Sequence, residues 1–125
     1  MRIVALGPLG RGLALEAFGS EGLTVGPVAK IEPGVGATGQ GTGPTSVALV
    51  EFAAGGRLGR HPAATWQVFV VVSGSGWVAG PDDVPQPLGV GEAAVWEPGE
   101  AHTSGSEAGM TVCIVEAPVN PIAAL

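Results

Sequence analysis

Glycine and proline constrain this chain more than any other feature. It carries 22 glycines and 11 prolines in 125 residues, and few stretches of ten residues lack both. A helix of ordinary length tolerates neither residue in its interior, because glycine adds backbone entropy and proline removes a donor and clashes with the preceding turn. The one helical candidate, Leu13 to Phe18, is bounded by Gly12 and Gly19, is barely a turn and a half long, and reads equally as a strand.

What remains between the breakers is strand-like. Val47 to Phe52 is β-branched and apolar and stops at Gly55-Gly56; Trp66 to Val72 is rich in valine and aromatics. Ser73-Gly74-Ser75-Gly76 reads as a tight hairpin turn into Trp77-Val78-Ala79, with glycine supplying positive φ, and a second turn falls at Gly80 to Asp83. Leu88 leads into a turn at Gly89 to Glu92, and Ala93 to Trp96 and Met110 to Glu116 are further strands. Short strands turned every ~8–12 residues predict an all-β sandwich or barrel. Residues 1 to 45 are less regular, with strands at Leu23 to Val25 and Val28 to Ile31 and a loop holding five glycines from Gly34 to Gly43. The length suits a single domain, residues 1–125, with its core in 46–118.

Composition excludes several functions. The longest aliphatic run, Val68 to Val72, is far below the ~20 residues that span a bilayer. Gly7-Pro8 breaks the apolar start before it reaches the length of a secretory signal. One cysteine, Cys113, allows no internal disulfide, and the chain is expected to be cytoplasmic. Net charge is −6 with five Lys+Arg, so no basic stripe is available for nucleic acid.

The chain's two histidines fall in distinctive surroundings. Gly55 is followed after five residues by His61, then Ala63 and Gln67, then after six residues by Gly74. Gly91 is followed after five residues by Glu97, then Gly99, then after two residues by His102. This resembles the two conserved motifs of the cupin family, in which a glycine precedes His-x-His, a glutamate and a glycine, and a second glycine precedes Pro-x-Gly and a histidine. Gly55, His61, Gly74, Gly91, Gly99 and His102 match; Ala63 stands for the second histidine, Gln67 for the glutamate and Glu97 for the proline. The resemblance spans about residues 45 to 118 and implies a jelly-roll β-barrel (a double-stranded β-helix) around one pocket, and a homodimer.

Within that resemblance His61, His102 and Gln67 are candidate ligands for one weakly held divalent metal: Fe, Mn, Ni or Zn. All three are neutral, and a buried +2 ion calls for a carboxylate. Glu100 lies two residues before His102, which on a strand places both side chains on one face, and Glu97 and Glu92 are alternatives. Phe69 and Val71 share strand parity with Gln67 and, with Trp96 and Cys113, are expected to line the pocket. Two functions stay open: a metal-dependent enzyme, of oxygenase, decarboxylase or isomerase type, acting on a small organic acid, and a metal-free barrel that binds a small ligand through His61, Gln67 and His102. A histidine–tyrosine acid–base pair is excluded, because the chain has no tyrosine.

Overall fold

The structure, a computed structural model, describes residues 1–4, 13–34 and 42–125. Most of the glycine-rich loop expected at Gly34 to Gly43 lies outside the described residues. The described residues form eight strands: β1 Leu13–Ala14, β2 Glu21–Ile31, β3 Thr45–Pro62, β4 Trp66–Ala79, β5 Gln86–Gly89, β6 Ala93–Trp96, β7 Ala101–Ser106 and β8 Met110–Ala117. The stretch Leu13 to Phe18 is neither one helix nor one strand: after β1, a 3-10 turn covers Ala17–Gly19. Among the described residues no helix is long and apolar enough to cross a membrane.

Four strands close a ring. β3 pairs with β7, β7 with β4, β4 with β8, and β8 back with β3, all antiparallel. Such closure leaves the central strands without free edges, as expected of a jelly-roll barrel.

The ring closes because β3 and β4 are much longer than the sequence pattern suggests. The expected end of a strand at Gly55-Gly56 is a corner inside β3, where Ser46 to Phe52 pair with β8 and Gly56 onward pairs with β7. The expected hairpin at Ser73 to Gly76 is likewise a corner inside β4. Residues Trp66 to Gly74 pair with β8, and Trp77 to Ala79 pair with β7. Gly55 and Gly74 sit at φ +79° and +74°, the left-handed region that glycine enters without a Cβ penalty. A turn and a corner require the same residue, so local sequence alone does not separate them.

The core lies between the two halves of the ring. Val50, Phe52, Phe69, Val71, Val112 and Ile114 are buried together from β3, β4 and β8. These residues alternate along their strands, so one face of each supplies the core. Phe69 meets Phe52 edge-on at 6.1 Å between centroids and Trp96 at 5.8 Å, geometries favoured by the aromatic quadrupole.

Candidate functional site

The two histidines sit opposite each other where β3 ends and β7 begins. His61 and His102 are direct partners in the β3–β7 register, just after an irregularity that follows Leu58. Two backbone bonds lock the strand ends together: Ala63 N–H donates to Glu100 O at 2.9 Å and Gly99 N–H to Ala63 O at 2.8 Å. The imidazole centroids are consequently 4.4 Å apart, with rings tilted by 59°.

Both rings make the same backbone bond. His61 Nδ1 is 2.7 Å from Gly59 O, and His102 Nδ1 is 3.0 Å from Glu100 O. A carbonyl oxygen only accepts, so in each neutral ring Nδ1 carries the proton and Nε2 presents its lone pair. Beyond that the two differ. His102 is fully buried, stacks on Trp96 at 4.2 Å, and its Nε2 has no hydrogen-bond partner. Burial lowers the pKa of His102 below the ordinary imidazole value; the charges of His61 and Arg60 lower it further, against the raising effects of the Glu100 carbonyl and carboxylate. His61 is half-buried and stacks on Phe18 at 4.4 Å, nearly parallel.

His61 opens onto a cavity of about 320 Å³ inside the barrel. Leu15, Phe18, Val25, Val50, Leu58 and Ile114 form most of its wall, with Ala48. Its polar groups are His61, Gln67, Ser46 and Glu116. Gln67 is buried as a residue, but its amide faces the cavity; the sealed side-chain polar atoms without a partner among the described residues are His102 Nε2 and Ser104 Oγ. Ser46, Glu116 and Gln67 form a row across three strands, since Glu116 is the register partner of both others. Glu116 is exposed and marks the mouth.

Part of the cavity wall comes from the chain segment before the barrel motifs. Ser20 is buried, and its Oγ accepts the Gly59 N–H at 2.9 Å, two residues from His61. A Cβ at Gly59 would collide with the Phe18 carbonyl, so only glycine admits this close approach. Phe18 itself has φ +60°, strained for a bulky residue, and this backbone carries its ring over His61.

The sequence-based candidates divide. His61 and Gln67 line one cavity, and His102 stands directly behind His61. Glu100 does not join them. Its Oε2 accepts the Glu97 N–H at 2.9 Å, and the side chain lines a separate depression with Val78, Gly80 and Trp96. The turn through Pro98 and Gly99 extends to Glu100, and β7 begins only at Ala101, so strand parity does not reach it. Glu92 is held in its own turn by the Gly89 N–H. Phe69 and Val71 share the inward face of Gln67 as expected, but deeper in the barrel, where they are core rather than wall. Trp96 backs His102, and Cys113 is a half-buried position on β8 that lines no described cavity. The sequence reading missed Glu116 and Phe18. Alternation along Met110, Val112 and Ile114 makes Glu116 the next position on that face, although Glu116 itself is exposed at the strand end; Phe18 carries no local signal.

A metal can be tested against these donors. The two Nε2 lone pairs, each set by an Nδ1–H bond to a carbonyl, are the tautomers a metal ligand needs. Beyond them the set fails. Ala63 puts a buried methyl where the family motif has a histidine, and Gln67 offers a neutral amide. Among the described residues no three His, Cys, Asp or Glu side chains group to hold an ion. Two imidazoles and an amide leave a +2 charge uncompensated, so the residues present do not fit a resident divalent metal.

No family model matches the sequence, and no curated protein matches it. Solved structures do match the fold. An RmlC-like cupin from Desulfovibrio desulfuricans is 20% identical over 77% of this chain and 82% of its own, with a TM-score of 0.59. A cupin-like protein from Thermotoga maritima is 19% identical over 78% and 69%, with a TM-score of 0.62. KdgF from a Halomonas species is 20% identical over 81% and 83%, with a TM-score of 0.60. The chain therefore has the cupin fold, the double-stranded β-helix that the paired motifs imply.

Proposed function

We propose that this cupin-fold barrel binds a small organic molecule directly, through His61 and Gln67, in the cavity closed on one side by Leu15 and Phe18. One observation carries the reading. A largely apolar cavity of about 320 Å³ contains polar groups able to bond a ligand: His61 Nε2, which in the neutral ring the Gly59 bond leaves as an acceptor, and the cavity-facing Gln67 amide. An apolar wall with a few convergent polar groups is the usual make-up of a small-molecule site, and this volume is at the small end of the range. The Gln67 amide faces the cavity with both donors and its acceptor available, so a ligand can bond it there.

The test has two parts. Protein purified without chelator is analysed for metal by mass spectrometry, then screened for thermal stabilisation by small amines, alcohols and acids. The expected result is far less than one transition metal per chain, with stabilisation by some probes that rises with concentration. His61→Ala is expected to keep the folded barrel, because it removes a half-buried ring whose two ring contacts, with Phe18 and His102, are worth ~0.5–1.5 kcal/mol each, and to lose the ligand shift. Near one transition metal per chain, lost in His61→Ala, would replace this reading with a metal-dependent one.

A further inference from the structure

We infer that the ligand is a small primary amine, with an ammonium head at Glu116, Gln67 and His61 and a short apolar body against the barrel wall; this rests on the cavity reading above. Two independent features of the site lead there. The first is charge. Among the described residues Glu116 is the only side chain with a full formal charge lining the cavity, and no lysine or arginine lines it. Of the described cations, Arg57 and Arg60 precede His61 in sequence and Lys30 is the register partner of Ser46 at the rim, and none of the three lines the cavity. Arg60 donates to Gly80 O, Pro81 O and Asp83 Oδ1, and Lys30 pairs with Glu32 on the surface. An organic acid would enter an apolar cavity past a carboxylate and find no cation inside, an arrangement that disfavours it strongly.

The second feature is hydrogen-bond polarity. His61 Nε2 is an acceptor, because Nδ1 already donates to Gly59 O. The Glu116 carboxylate only accepts. Gln67 and Ser46 can do either. The site therefore has more acceptors than donors, and the complementary head is one rich in donors. An ammonium group has three N–H donors and no acceptor, and its charge is the opposite of Glu116. The wall formed by Leu15, Phe18, Val25, Val50, Leu58 and Ile114 suits a short hydrocarbon or aromatic body.

Three probes of one shape separate the possibilities: 2-phenylethylamine, 2-phenylethanol and phenylacetate, each titrated calorimetrically at neutral pH, with the His61 Nε2 resonance followed by NMR. The amine is expected to bind about tenfold more tightly than the alcohol, and the acid not at all. The His61 resonance should shift with the amine. Glu116→Gln, at an exposed position that leaves the core untouched, should weaken the amine about tenfold and weaken the alcohol far less. Tighter binding of acid than amine, or equal amine binding by Glu116→Gln, overturns the amine inference while leaving the cavity reading intact. Binding of none of the three, or binding without a His61 shift, overturns both.

Discussion

The two histidines make the same backbone bond a few ångströms apart, yet they belong to different parts of the molecule. Six rings form a continuous chain: Phe52, Phe69, Trp96, His102, His61 and Phe18, each in contact with the next. The first four are buried. Phe18 at the other end is 61% exposed, and His61 stands at the boundary. On the inner side of that boundary an imidazole is framework, sealed under Trp96 with an unpartnered nitrogen. On the outer side it is a recognition group facing a cavity. Residue type and local bonding are the same; what the neighbours exclude decides the role.

Cutting the chain of rings at its deep end should give the largest effect. Phe69→Ala removes a fully buried ring in edge contact with two others and should destabilise the barrel by about 3–5 kcal/mol in urea unfolding. A value near that of His61→Ala would mean that the inner and outer segments are not distinct.

The buried imidazole should also betray itself through pH. Its pKa is lowered in the fold, so the unfolded chain takes up the proton first. Stability contributed by neutral His102 is complete above the unfolded value of 6.5 and is lost as pH falls from there through the folded pKa. For a single group the slope in that window is at most about 1.4 kcal/mol per pH unit. His102→Phe keeps a ring against Trp96, and Glu100 O still accepts the Ala63 N–H, so this variant should flatten that window. A slope that persists in His102→Phe would assign the titration to another group.

The smallest effect concerns the cavity itself. Gln67→Leu replaces a cavity-facing amide with an apolar side chain of similar size and should leave stability within about 1 kcal/mol of the parent while abolishing ligand stabilisation. Destabilisation beyond that would place Gln67 in the framework with His102, on the inner side of the boundary.

Much of this was legible in the chain. The density of glycine and proline excludes long helices, the strand periodicity is all-β, and the spacing of Gly55, His61, Gly74, Gly91, Gly99 and His102 resembles the cupin motifs that the fold bears out. The pairing of His61 with His102 follows from those motifs, and Gln67 with His61 from the same source. These features are local or fixed in number, so the order of residues carries them. Contacts between distant segments are not written that way. Gly55-Gly56 and Ser73 to Gly76 look like strand ends, and only ring closure by β7 and β8 makes them corners. Glu100 has the right spacing from His102, but a turn one residue longer than the parity argument allows sends its carboxylate to Glu97 N–H. Phe69 and Val71 have the right face but the wrong depth, since parity fixes direction and not distance from the mouth. Phe18 and Glu116 reach the cavity from opposite ends of the chain, and no local pattern relates them. The sequence determined which faces turn inward; the folded barrel decided how deep each residue lies and which of its bonds were left unmade.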